Sequence, residues 1–174
     1  QAVKLLLFTG ARKSEILAAR WENVDVERRI LTVPLSKSGK ARHIPLSDAA
    51  LRVLAEIPHK SEWLFPSSRT DTHISTMYAA WDRVRTRAGL KDVRLHDLRH
   101  SFASFLVNSG CSLYEVQKIL GHQNPKVTTR YAHLAQESLL RAANIVGKKL
   151  GEKREKRHRS RKSVDINNCS LYSS

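Results

Sequence analysis

The chain has 174 residues, with 31 Lys and Arg against 16 Asp and Glu, a formal net charge of +15. That length suits one ordinary domain with a buried core, and no apolar run approaches the roughly 18 residues a bilayer-spanning helix needs. Cys111 and Cys169 are too few and too scattered for a disulfide framework or a zinc site, and no signal-peptide pattern opens the chain, so a reducing, intracellular setting is expected.

The charge is not confined to one end. Residues 148–162 carry nine Lys/Arg and two Glu, yet residues 1–147 still hold 22 Lys/Arg against 13 Asp/Glu. A globular part that is basic without its tail points to a polyanionic partner, although charge alone describes any soluble basic protein equally well.

The chain opens at Gln1 inside an apolar run, Val3-Lys4-Leu5-Leu6-Leu7-Phe8, so a piece of a longer protein is expected. Leu5 to Phe8 read as the end of a buried helix that Thr9-Gly10 break, glycine being the usual residue past a helix C-terminus. A second helix is predicted from Ala11 to Arg20, with Ile16 and Leu17 on its apolar side. Arg12 and Lys13 fall in its first turn, against the macrodipole, a placement that suits a partner or simply a basic surface. Three β-type runs follow: Val24 with Val26, Ile30 to Leu35, and Ala41 to Leu46. Ser36-Lys37-Ser38-Gly39-Lys40 lies between the last two as a hairpin turn, and Pro34 and Pro45 mark edges or strand ends. The expected product is a small antiparallel sheet with a lysine-bearing tip.

Ser47 is placed to cap a helix through Glu56, with Ala50, Leu51, Leu54 and Ala55 on one side. Pro58 to Thr72 reads as loop, in which Trp63-Leu64-Phe65 must find a packing surface. Ser75 caps the next expected helix, through Ala88, with Met77, Trp81 and Val84 inward and Arg83, Arg85 and Arg87 outward. Asp97 to Ser109 is the central helix. Its expected core stripe is Leu98, Phe102, Phe105 and Leu106, and His96 and Arg99, three residues apart, border that stripe.

Gly110 ends the central helix. Ser112-Leu113-Tyr114-Glu115 fits a capping box ahead of inward-facing Leu113, Val116, Ile119 and Leu120. Gly121 stops this helix and leaves His122 just beyond it. Asn124-Pro125 opens a short helix whose end bears Arg130 and Tyr131. A last amphipathic helix is expected from Gln136 to Val146, and the basic run and polar end past Gly151 are expected to be disordered.

Between His96 and Tyr131, the residues His96, Arg99, His122 and Tyr131 fall beside helix ends with no acidic cluster. Such a set suits an anionic phosphate and a phenolic nucleophile better than a metal. Taken in order, Arg12 after Thr9-Gly10, Lys37 on a hairpin, His96 three residues before Arg99, Leu120-Gly121-His122, and Tyr131 nine residues after that histidine resemble the signature of tyrosine recombinases, the phage integrase family. The likeness covers about residues 1–135.

The resemblance implies an α+β, mainly α-helical catalytic domain with a small antiparallel three-stranded β-sheet, the DNA breaking-rejoining fold of tyrosine recombinases. It implies residues 1–150 as that domain, the family's N-terminal DNA-clasping domain absent, and 151–174 as a basic, polar tail. The activity implied is that of a site-specific DNA recombinase or integrase. Attack of Tyr131 on phosphorus would give a 3′-phosphotyrosyl link and a free 5′-hydroxyl, with no metal, ATP or other cofactor.

The same resemblance assigns roles. Arg12 and Arg99 would hold the non-bridging phosphate oxygens, and Lys37 would protonate the leaving 5′-oxygen, with Lys40 an alternative. His96 would bond the phosphate or assist proton transfer from Tyr131, and His122 would donate to a non-bridging oxygen. Glu15 and Asp97 fit as carboxylates that hold the arginines or as plain salt bridges. Double-stranded DNA is the implied partner, bound by a homotetramer whose C-terminal helix docks on a neighbouring protomer. The chain is expected to be monomeric when free, cytoplasmic, and without a membrane role. Type IB topoisomerase-like relaxation shares the chemistry, and a noncatalytic DNA-binding remnant would retain only the binding.

Overall fold

The computed structural model describes residues 1–34, 41–122, 124–135 and 144–145. The chain divides into two units, Gln1–Leu134 and Ala135–Ser174; in the second, Asn144 and Ile145 are helical. The hairpin tip with Lys37 and Lys40, the expected last helix apart from residues 144–145, and the basic tail lie outside the described residues.

Helix α1 (Ala2–Thr9) buries Ala2, Leu5, Leu6 and Thr9 and ends at Gly10, whose φ of 61° places it in the left-handed region. A β-carbon on Gly10 would lie 2.3 Å from Cδ1 of Phe102, so this position must lack a side chain for close packing as well as for its backbone. Helix α2 (Lys13–Leu17) is half the predicted length. The chain stays extended through Arg12, which is therefore the N-cap residue and not part of the first turn. Glu15 accepts the Arg12 backbone N–H at 2.7 Å, as the third helical residue does in a capping box. The expected conflict with the macrodipole is thus confined to Lys13, and the first turn also carries an acid, Glu15.

Strands β1 (Val24–Asp25), β2 (Ile30–Val33) and β3 (Arg42–Pro45) form one antiparallel sheet in that order. Val24 pairs with Leu31, Ile30 with Pro45, and Val33 with Arg42. Val26 lies outside β1 and is exposed. Pro45 closes the edge strand β3, where its missing N–H leaves no gap in the ladder interior. Alternation along β3 turns Arg42 and Ile44 inward and His43 and Pro45 outward.

Helix α3 (Asp48–Ala55) is capped by Ser47, whose hydroxyl accepts from the Ala50 N–H at 3.3 Å. It packs on α1 over Ala50, Val53 and Leu54. Trp63-Leu64-Phe65 finds its surface on the stretch after α2: Leu64 N–H donates to Ala19 O and Trp21 N–H to Glu62 O, both at 2.9 Å, and Leu64 is fully buried. Helix α4 (Tyr78–Arg87) begins three residues past Ser75, with Met77 as its N-cap residue. Met77 and Trp81 are buried as expected, but Val84 is exposed.

Helix α5 (Asp97–Asn108) carries the largest correction. Its fully buried line is Arg99, Ala103 and Val107, at successive four-residue steps. Leu98, Phe102 and Leu106 flank that line half-buried, and Phe105 is 65% exposed. The helix packs on α1 and α6, with the small Ala103 on its buried line and the bulkier side chains on the flanks. Helix α6 (Leu113–Leu120) has the expected capping box, Ser112 accepting from the Glu115 N–H and Glu115 accepting from the Ser112 N–H. Gly121 ends α6 with φ 65°. Helix α7 (Pro125–Thr129) starts on Asn124, whose side chain accepts from the Lys126 N–H at 2.9 Å. Among the described residues no helix is long and apolar enough to cross a membrane.

Candidate active site

The last carbonyls of an α-helix have no partner within it, and the aligned peptide dipoles leave that end negative. At the end of α6 three arginines from three other elements take three successive carbonyls. Arg42 of β3 donates to Ile119 O at 2.7 Å, Arg99 of α5 to Leu120 O at 2.6 Å, and Arg12, leading into α2, to Gly121 O at 3.5 Å. Arg99 also donates to Gly10 O at 2.7 Å, so one guanidinium ties the end of α1 to the end of α6. At 5% exposure it is nearly out of reach of water. Burial, and then the charges of Arg12 and Arg42, bring its pKa down to about 10, which leaves it charged at neutral pH.

A single buried carboxylate serves this cluster. Glu15 accepts from Arg12 Nη1 at 2.8 Å and from Arg42 Nη1. Burial acts to raise the Glu15 pKa, but the Arg12 N–H and the Arg42 charge outweigh it and hold the carboxyl below its usual range. Three guanidiniums against one carboxylate leave positive charge in excess at the end of α6, an environment chemically suited to an anion. Asp97, the other candidate partner for the arginines, pairs instead with Arg94, accepting its backbone N–H at 2.8 Å and its Nη2 at 3.0 Å.

His122 follows the left-handed Gly121 and turns Nδ1 to the Thr128 hydroxyl at 2.9 Å. Burial, joined by Arg99, Arg12, Arg42 and Arg130, depresses its pKa to about 4, so the ring is neutral at pH 7. In the tautomer where the Thr128 hydroxyl donates to Nδ1, the ring proton lies on Nε2, a donor available to a ligand. Tyr131, just past α7, is 6% exposed, and its hydroxyl meets Nδ1 of His100 at 2.5 Å. Burial raises the phenol pKa while Arg130 and Arg99 oppose the rise. His96, exposed at the start of α5, stands edge-on to His100 with ring centroids 4.8 Å apart. Burial and the neighbouring Arg99 lower its pKa.

Of the six residues singled out in the sequence, five are described. Arg12, Arg99 and His122 converge on the end of α6, while Tyr131 and His96 flank His100. Lys37 lies outside the described residues. Arg42 and His100 were not foreseen. The signal for Arg42 was available: it stands two residues from Ile44 in a β-type run, on the inward side of the alternation. His100 lies one helical turn beyond His96.

The sequence profile of the phage integrase family matches residues 1–138. The chain belongs to that family. The integrase of Salmonella phage P22 is 33% identical over 159 residues, covering 83% of this chain and 41% of that protein. Tyrosine recombinase XerD of Rhizobium meliloti is 35% identical over 148 residues, covering 79% and 47%. This phage integrase family chain thus spans about half the length of the curated relatives it matches, or less. Among solved structures, the catalytic domain of bacteriophage HP1 integrase superposes with a TM-score of 0.64 at 31% identity, covering 82% of this chain and 79% of that one. The XerH site-specific recombinase in its pre-cleavage complex with difH substrate gives 0.64 at 26% identity, covering 79% and 43%. The fold is that of tyrosine recombinase catalytic domains, mainly helical with one three-stranded antiparallel sheet.

Proposed function

We propose that this domain cuts and rejoins double-stranded DNA as the catalytic part of a site-specific recombinase or integrase, through a 3′-phosphotyrosyl intermediate. The observation that carries the reading is the cluster of three arginines on Ile119, Leu120 and Gly121, balanced by Glu15 alone. Guanidinium forks match the geometry of phosphate oxygens and remain charged. Arg12 and Arg99 hold the non-bridging oxygens of the scissile phosphate and oppose the negative charge that builds in the transition state, commonly the largest catalytic contribution. His122 donates to a non-bridging oxygen, and His96 adds a bond to the phosphate.

Tyr131 is the nucleophile, so the broken phosphodiester is conserved as a covalent bond that a second DNA end reverses. Lys37, or Lys40 three residues on in the sequence, protonates the leaving 5′-oxygen. In this reading fixed cations perform the charge neutralisation that metal ions perform in many nucleases. The named relatives are integrases and recombinases, which favours strand exchange over free relaxation. Assembly as a tetramer on DNA, with the segment after Tyr131 docked on a neighbouring protomer, completes the proposal. A nicked duplex that traps the cut strand tests it: wild-type protein gives a covalent adduct, whereas Tyr131→Phe gives none. An adduct undiminished in Tyr131→Phe, or none from wild type, contradicts it.

A further inference from the structure

The Tyr131 hydroxyl has one polar partner among the described residues, and that partner is not His96. It is Nδ1 of His100, at 2.5 Å, in a region where the Tyr131 side chain is almost wholly enclosed. A phenol hydroxyl both donates and accepts; in the His100 tautomer that carries its proton on Nε2, Nδ1 accepts the Tyr131 O–H. The groups facing His100 are His96, Asp97 and Arg94 at the start of α5, with Arg130 and Tyr131 at the end of α7. Burial, His96, Arg130 and Arg94 outweigh Asp97 and hold the imidazole below its ordinary value, which leaves it neutral and able to accept.

We propose that His100 is the base of the strand-cutting step, its Nδ1 taking the phenolic proton of Tyr131 as the tyrosine oxygen attacks phosphorus. This rests on the reading of Tyr131 as nucleophile. In the step, the Tyr131 O–H bond breaks and an N–H bond forms on His100. The tyrosine oxygen bonds to phosphorus, and the P–O5′ bond breaks with its electron pair, the 5′-oxygen taking a proton from the general acid assigned above to Lys37. Rejoining reverses the flow, and the imidazolium returns its proton to the departing phenolate.

The proton moves only together with bond formation. The phenol, ordinarily near 10 and raised further by burial, is a far weaker acid than imidazolium, so free phenolate does not accumulate. His96, more exposed and edge-on to His100, is left to face the phosphate. The division of labour between two histidines one turn apart follows from which of them touches the phenol.

The test uses this chain with a pool of nicked duplexes bearing a randomised core. The sequence recovered from captured wild-type adduct becomes the substrate for single-turnover adduct formation between about pH 6 and about pH 10, the latter being the ordinary phenol value. His100→Asn keeps a hydrogen-bond acceptor but cannot take up a proton. Its rate is expected to fall about 10²- to 10⁴-fold near neutrality and to recover as the pH approaches the phenol value, with DNA affinity and thermal stability kept. His100→Gln is the second variant should Asn disturb α5, and imidazole in the buffer is expected to restore part of the rate of His100→Ala.

Wild-type rates in His100→Asn, or a loss equal at every pH, overturn the proposal by reducing His100 to a positioning residue. The same pH signature in His96→Asn alone moves the base to His96. Adduct formation by Tyr131→Phe removes the nucleophile reading itself, and so does a wild-type protein that forms no adduct. A silent Tyr131→Phe beside an unimpaired His100→Asn sinks only the present inference.

Discussion

A β-carbon on Gly121 would lie 2.4 Å from Nε of Arg42 and 2.7 Å from its Cδ. The guanidinium of Arg42 passes across the end of α6 at the one residue that offers no side chain to obstruct it. Gly121→Ala combines a left-handed backbone strain of about 1–2 kcal/mol with an overpacking cost of about 1–3 kcal/mol. Gly89 is the control, since it also has positive φ but nothing within 4 Å of its added β-carbon. Urea denaturation is expected to show Gly121→Ala losing clearly more stability than Gly89→Ala. Equal losses would mean that the Arg42 contact costs nothing to disturb.

On the proposed function, substitution of Arg99 distinguishes chemistry from binding. The arginine bridges Gly10 O and Leu120 O in a nearly water-free setting, so a lysine there has the charge but not the fork. In Arg99→Lys, single-turnover cleavage is expected to fall about 10²- to 10³-fold, the cost of removing one preorganised donor from a developing anion. DNA affinity, spread over many phosphates, should change by less than about tenfold. Parallel loss of both, measured by adduct formation and by filter binding, would move Arg99 to a positioning role.

The His122 pKa predicts an acid-side instability. The folded ring titrates at about 4 against an ordinary 6.5, so between those values the unfolded chain binds more protons and stability falls as the pH is lowered. His96 and His100, both lowered, act with the same sign. Glu15, held below its usual range, contributes its own loss only below about 4.5. Thermal unfolding between pH 6.5 and 4.5 should therefore show a falling midpoint whose slope is reduced in His122→Asn. An unchanged slope in that variant would contradict the burial assigned to the ring.

Features that depend on neighbouring residues were legible in the sequence. Ser47, Ser112 with Glu115, Asn124-Pro125, Gly10 and Gly121 mark helix ends through their own backbone chemistry, and each stands where it was expected. The phase of α5 was not legible, because periodicity gives weight to apolar bulk. Here the buried line holds a small residue, Ala103, and a charged one, Arg99, whose donors are met by Gly10 O and Leu120 O from elsewhere in the chain. The inward side of Arg42 was legible from the alternation of β3, but its partners were not: Glu15 and Ile119 are 27 and 77 residues away. The corrected phase predicts that Val107→Ala costs about 2 kcal/mol and Phe105→Ala less than about 0.5 kcal/mol. The reverse order in urea denaturation would restore the stripe expected from the sequence.

The measurement that bears most directly on the central claim is the site of covalent attachment. DNA trapped on the protein after cutting a nicked duplex, digested to peptides and read by mass spectrometry, is expected to leave a 3′-linked nucleotide on the peptide containing Tyr131 and on no other. Attachment at Tyr78, at Tyr114 or at a serine would contradict the account.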